Sequence, residues 1–287
     1  MTNSTPPIII IGMHRSGTSM LTNMLNQLGL FIGHKLLPFD LYEASFFVTL
    51  NEWLLAQANA SWDNPYNYQF ADTIFNEQAK SILLGELKGK KKKNFLGKHK
   101  VKDIRDLNIP WAWKDPRTTI TIDLWKDIFP EAKILHIYRN PIDVAASLSK
   151  REKDIRQSKK LTYAIRVLRF LNYKATQNLS LRIMNVEEGV KLWEDYVSKA
   201  FSLDEKYGGD IYHLRYESFL EHPMQFLPEI AEFAGLHPTQ EKMKDLVKNV
   251  NSDRMFAFTK KPELVEIYKK VQQQDWIKQL GYGEILS

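Results

Sequence analysis

The sequence predicts an α/β fold with a mostly parallel central sheet. Three strand-like runs predict it, Ile8–Ile11, Lys133–Tyr138 and Ile211–Leu214, each followed by a helical pattern. The first run is four isoleucines with no polar alternation, the signature of a strand covered on both faces. Gly12 ends it, and from Thr18 the pattern turns helical, with Met20, Leu21, Met24, Leu25 and Leu28 on one face and Gly29 as the stop. After the second run, Asn140 is a natural N-cap, Pro141 fits the first helical position and Asp143 suits the first turn. Val144, Ala145 and Leu148 supply the apolar face of that helix. After the third run a helix is expected from about Met224 to Ala234, capped by Gly235. Trp111–Trp113 reads as a further short strand leading into a helix near Ile120–Ile128. No repeat and no linker interrupts the pattern, so one domain is expected over residues 1–287, with basic insertions near 85–105 and 151–188.

Composition narrows the chemistry. The 287 residues can bury one large core, and the formal charge of +6 suits an anionic ligand without demanding one. The chain has no cysteine, which excludes disulfides and thiolate metal sites and favours a reducing compartment. The N-terminal stretch has no basic leader, and Ile8–Ile11 is too short for a signal or a membrane span. These features together predict a cytoplasmic protein. No His/Asp/Glu cluster shows metal-ligand spacing, so no metal is expected. The run Lys90–Lys93 reads as a mobile loop. The basic stretch 151–182, with Ile155, Leu161, Ile165, Leu168 and Leu171 interleaved, reads either as a core helix with a solvated basic face or as a peripheral membrane or acidic-glycan contact. No recognition motif accompanies the charge, so nucleic acid is not an expected partner. The oligomeric state cannot be read from these residues.

Two motifs carry the function. Gly12-Met13-His14-Arg15-Ser16-Gly17-Thr18-Ser19 sits between strand and helix with glycines five apart, the spacing of a phosphate-binding loop. Backbone N–H groups at the helix start, with the helix dipole behind them, can cradle an oxyanion. A nucleoside-triphosphatase loop carries Gly-Lys-Ser/Thr; here Gly17-Thr18-Ser19 lacks that lysine and the cation stands earlier, at Arg15. The second motif is Arg139-Asn140-Pro141-Ile142-Asp143-Val144-Ala145-Ala146-Ser147-Leu148. A strand-end arginine fork and a hydroxyl two helical turns on suit a phosphate monoester; by themselves the same residues also suit a surface salt bridge and a solvated serine.

Taken in order, these motifs resemble those of sulfotransferases that use 3'-phosphoadenosine-5'-phosphosulfate (PAPS), a P-loop NTPase-like fold. The resemblance covers Ile8 to Gly33, Trp111 to Arg151, Leu192-Trp193 and Arg215 to Leu236. It implies that His14, Arg15, Ser16, Gly17, Thr18 and Ser19 hold the 5'-phosphosulfate. It implies that Arg139 and Ser147 hold the 3'-phosphate, that PAPS is the sulfuryl donor and that its bisphosphate (PAP) is the product. Trp113-Lys114-Asp115-Pro116-Arg117 resembles the Lys-Asp-Pro element of tyrosylprotein and related bacterial members. By that likeness Lys114, with Arg15, stabilises charge on the leaving oxygen, and Arg117 binds acceptor or donor phosphate. The acceptor hydroxyl needs a base; Glu43, ahead of Phe47-Val48-Thr49-Leu50-Asn51, is the first candidate and His34 the rival. Bacterial members of this look often act on sugars or glycolipids, so the resemblance implies a glycan or glycolipid acceptor. A P-loop kinase using ATP and Mg²⁺, and a nucleotide- or glycan-binding module without catalysis, are the competing readings.

Overall fold

A computed structural model describes residues 4–157 and 180–286. Among the described residues four parallel strands form the sheet: β1 (Ile8–Ile11), β2 (Ala112–Lys114), β3 (Lys133–Tyr138) and β4 (Ile211–Arg215), in the order β2-β1-β3-β4. Register sets Ile10 beside Lys114 and Leu135, so both motif-bearing strands end at one edge of the sheet. That carboxyl edge is where open α/β sheets present their loops to ligands. The isoleucines of β1 are all buried, as the unbroken apolar run requires.

The helices are α1 (Thr18–Gln27), α2 (Ser45–Gln57), α3 (Thr73–Lys88), α4 (Thr118–Ile128), α5 (Pro141–Gln157), α6 (Val186–Ser202), α7 (Tyr216–Glu221) and α8 (Pro223–Phe233). Shorter turns join them, and three more helices follow at Gln240–Val247, Pro262–Val271 and Asp275–Gln279. The expected caps form. The Asn140 side chain accepts from the N–H groups of Ile142 and Asp143, and Gly235 closes α8 at φ 69°.

The described residues group into two compact units: residues 1–138 with 196–252, and residues 139–195 with 253–287. The first carries the whole sheet and an aromatic core. Phe47 stacks on Trp113 at 4.3 Å with the rings nearly parallel, and Trp111, Trp125, Phe95 and Phe129 surround them. Phe95 corrects one expectation. The lysine run is not a loose loop: Lys90–Lys92 makes a 3-10 turn and Lys93–Leu96 a short helix, with Phe95 and Leu96 buried in the core. Two apolar anchors hold a segment whose lysines face water. Of the basic stretch 151–182, residues 158–179 lie outside the described residues; Arg151–Gln157 end α5. Among the described residues no helix is long and apolar enough to cross a membrane.

In the second unit, Trp193 on α6 donates its indole N–H to the Arg139 carbonyl at 2.9 Å, and Gly189 lets α6 approach Ala145 of α5 closely.

Candidate active site

The glycine loop has the backbone its sequence demands. Gly12 sits at φ 140°, and a Cβ there would lie 2.2 Å from the Ile137 carbonyl oxygen. Gly17 sits at φ 98°, with the Tyr216 ring 2.4 Å from where a Cβ would be. Between them Arg15 is also left-handed, at φ 73°, and exposed. The Ser16 N–H closes a turn onto the Met13 carbonyl at 3.2 Å, and the left-handed Arg15 and Gly17 on either side of Ser16 lead the chain into α1. The first turn of α1 has no side-chain cap and no acidic residue, so its N–H groups are open to an anion. The Ser16 hydroxyl is buried and makes no hydrogen bond. The His14 ring packs edge-on against Trp62 at 4.9 Å. Thr119 braces the loop from α4 by accepting from the Gly12 N–H at 3.2 Å.

Beside this loop stands a buried charge cluster. Lys114 ends β2, and its ammonium donates to Glu43 Oε1 at 2.7 Å and to Ser19 Oγ, in the first turn of α1, at 3.3 Å. The Lys114 side chain is 2% exposed and that of Glu43 5%, so water screens this pair little. Ser19 donates in turn to the Leu41 carbonyl. The ammonium thereby links the phosphate-type loop, the end of β2 and the hairpin that carries Glu43. Opening such a pair by removing one partner costs roughly 3–5 kcal/mol, because the other charge is left buried.

Arg117 is enclosed by carboxylates. Its guanidinium lies 3.0 Å from Asp115, 3.1 Å from Glu52 and 3.9 Å from Glu43. Burial pulls the Arg117 pKa down, but the charges of Asp115, Glu52 and Glu43 outweigh it and raise it above the ordinary arginine value. Burial pushes the Glu52 carboxyl up, with Arg117 opposing. Two cations therefore meet three carboxylates, a net charge of −1. A cluster one proton short of neutrality is suited to accept one.

Asn51, which the sequence pointed to only as part of an apolar run, is the hub beneath this cluster. Its amide nitrogen donates to Asp115 Oδ2 and Thr118 Oγ1, both at 2.8 Å. Its amide oxygen accepts from Thr121 at 2.8 Å and from the Trp125 indole at 2.7 Å. A fully buried amide with all its hydrogen-bonding groups matched fixes the orientation of the Lys-Asp-Pro turn. No sequence signal marks it, since its partners are 64 to 74 residues away. His34, the rival base, is exposed, and its ring packs over Gly97, where a Cβ would come within 2.7 Å of Cγ. No contact there joins it to Lys114.

The second unit holds the other motif. Arg139 donates to Asp143 at 3.2 Å and to the Arg254 carbonyl at 2.6 Å. Asp143 also accepts from the N–H groups of Ala257 and Phe258. Burial pushes the Asp143 carboxyl up, opposed by Arg139. Ser147 is half-buried on α5, eight positions beyond Arg139.

A family model described as the sulfotransferase family matches residues 6–241, most of the chain. The chain belongs to the sulfotransferase family. Membership makes it a sulfotransferase enzyme, and implies in general a PAPS-type donor and a hydroxyl-bearing acceptor. No curated protein matches the sulfotransferase. Solved structures similar to it include the sulfotransferase domain of a Synechococcus olefin synthase, at 17% identity and TM-score 0.45, covering 90% of this chain and 81% of that one. A Mycobacterium tuberculosis sulfotransferase matches at 15% identity and TM-score 0.49, over 87% of this chain and 72% of its own. One from Alicyclobacillus acidocaldarius matches at 15% identity and TM-score 0.48, over 96% and 92%. Among the described residues of the sulfotransferase, no group of three or more acidic or histidine side chains is arranged to hold a metal ion.

Proposed function

We propose that this sulfotransferase moves a sulfuryl group from PAPS to a hydroxyl of a carbohydrate or glycolipid by in-line displacement, leaving PAP. One observation carries the reading: the Lys114 ammonium bridges Ser19, at the start of α1, and the buried carboxylate of Glu43. A cation next to an open helix N-terminus and next to a carboxylate is what sulfuryl transfer needs, since charge leaves on one side while a proton leaves on the other.

On this reading the N–H groups of Gly17, Thr18 and Ser19 at the start of α1, with the unpartnered Ser16 hydroxyl, hold the 5'-phosphosulfate, helped by Arg15 and His14, while the Gly12 and Ser16 N–H groups stay bonded to Thr119 and the Met13 carbonyl. Arg139 and Ser147 hold the 3'-phosphate, the group that separates PAPS from ordinary nucleoside triphosphates. Arg139 would trade its one-turn pair with Asp143 for the phosphate charge. Glu43 takes the proton of the acceptor hydroxyl as its oxygen bonds to sulfur. The bond from sulfur to the bridging oxygen of the 5'-phosphate breaks, and Lys114 stabilises the charge left on that oxygen. The two roles are coupled: as the ammonium turns to the leaving oxygen, Glu43 loses its ion pair and becomes a stronger base. Arg117, ringed by Asp115, Glu52 and Glu43, keeps these carboxylates in place. Lys and Arg then supply the neutralisation that Mg²⁺ gives in kinases, where the transferred group carries more charge. The basic excess suits an acidic glycan, and a chain without cysteine suits the cytoplasm.

The test is transfer from labelled PAPS to a panel of glycans, glycolipids, phenols and peptides, with melting curves alongside. The expected results are label on glycan or glycolipid hydroxyls, and a larger rise in melting temperature with PAP than with ATP or AMP. Equal shifts for the three nucleotides would reject the donor, and label only on phenols or peptides would reject the acceptor class. A larger shift with ATP and Mg²⁺ would favour a kinase.

A further inference from the structure

A cavity of about 530 Å³ opens between α2 and α3. None of its lining residues belongs to the glycine loop or to the Lys114 cluster. Its walls are apolar where the helices face each other, with Phe46, Leu50 and Trp53 from α2 and Ile82 from α3. Phe46 and Leu50 are buried, whereas Ile82 is 49% exposed, a large apolar side chain left at the mouth. The rim is cationic. Lys35 and Lys91 both line the cavity, and among the described residues neither ammonium has a hydrogen-bond or ion-pair partner. Neighbouring Lys92 differs, since its ammonium is engaged by the Lys88 carbonyl at 2.8 Å. Glu86 also lines the cavity, which leaves the lining with a net charge of +1.

A volume of this size is that of small-molecule sites, which are mostly apolar with a few polar groups that orient the ligand. From this geometry we infer that the cavity binds a small amphipathic anion, an apolar body bearing one carboxylate, phosphate or sulfate group. The body lies against Phe46, Trp53 and Ile82, and the head meets Lys35 and Lys91. Of the lysines at 90–93, which sulfuryl transfer leaves unexplained, Lys91 thereby gains a role, on a segment anchored by the buried Phe95. The site also borders the hairpin of Glu43. Ser45 donates its N–H to the Lys35 carbonyl at 2.9 Å, Leu36 pairs with Ala44, and Leu37 donates to the Glu43 carbonyl at 2.8 Å. Phe39, Asp40 and Tyr42 on this hairpin hold left-handed backbones, so an occupant at its base braces a strained segment.

The test is calorimetric titration of the whole protein with monomeric dodecanoate, which requires no activity and is independent of the donor and acceptor assigned above. The expected result is saturable one-to-one binding, weakened about ten-fold or more by Lys35→Glu and by Lys91→Glu. Inorganic sulfate and 1-octanol, which carry the head or the body alone, bind at least about ten-fold more weakly. Both substitutions are on the surface, and unchanged melting curves check that the fold is kept. Absence of saturation up to about 1 mM, equal affinity in both variants, or equal affinity for octanol would overturn the proposal. Binding to phosphatidylglycerol vesicles without binding to dodecanoate would also overturn it and make the rim a membrane contact.

Discussion

The protein holds the cations of its candidate site in two contrasting ways. Lys114 and Arg117 are gripped by Glu43 and Glu52, which lie 71 and 65 residues away in sequence, and the cluster carries one carboxylate more than it has cations. Arg139 is tied to Asp143, one helical turn along α5, and to a backbone carbonyl. Both pairs are largely out of water, with side chains 11% and 3% exposed in Arg139–Asp143 and 2% and 5% exposed in Lys114–Glu43, so stranding one ion is costly in either. They differ in reach and length: the first joins residues four apart at 3.2 Å, the second joins residues 71 apart at 2.7 Å. Under the proposed roles Arg139 exchanges Asp143 for an incoming phosphate, and Lys114 turns from Glu43 to the leaving oxygen; the pair local in sequence then serves binding and the long-range cluster serves the reaction step.

Substitutions can break this contrast. The largest effect is expected at Lys114. Lys114→Ala should lower kcat roughly 10²–10³-fold while PAP still raises the melting temperature, read by labelled-PAPS kinetics and melting curves. Glu43→Gln, which keeps an acceptor for the ammonium, should lower kcat with less loss of stability than Lys114→Ala. Wild-type turnover in Glu43→Gln would remove Glu43 as the base and return attention to His34. Next comes Arg139→Ala, expected to weaken PAP binding about 10–100-fold by calorimetry with kcat at saturating donor nearly kept. A fall in kcat equal to that of Lys114→Ala would erase the distinction between the two centres.

The smallest effect is a pH dependence at Asp143. Its folded pKa lies above the ordinary value of 3.8, chiefly through burial. A raised value means that its contribution to stability is fully present below 3.8 and is lost as pH rises through the folded pKa. The stability difference between wild type and Asp143→Asn should therefore shrink as pH climbs from about 4 and then level off. A difference that grows with pH, measured by denaturant unfolding, would show that the Arg139 pair outweighs burial.

Much of this architecture was legible in the chain. The Ile8–Ile11 and Lys133–Tyr138 strands have the predicted bounds, because buried parallel strands announce themselves as short apolar runs. Asn140 and Gly235 marked helix ends because capping is decided within a few residues. The lysine run was misread for the opposite reason. Its charge is local and visible, whereas the burial of Phe95 against Phe31, Phe47 and Trp111 is not. Asn51 and Glu52 carried no signal, since nothing near them in sequence reveals Asp115, Thr118, Trp125 or Arg117.

By itself the amino-acid order determined the strand–glycine-loop–helix unit, the capped helix after β3 and the family, since each depends on residues close together in the chain. Tertiary structure alone decided that Glu43 meets Lys114, that Asn51 orients Asp115 and that Lys35 faces the same cavity as Lys91. The physical reason is range. Backbone preferences and capping act over one or two turns, whereas a buried charge finds its partner only after packing has removed water and brought distant segments within hydrogen-bond reach.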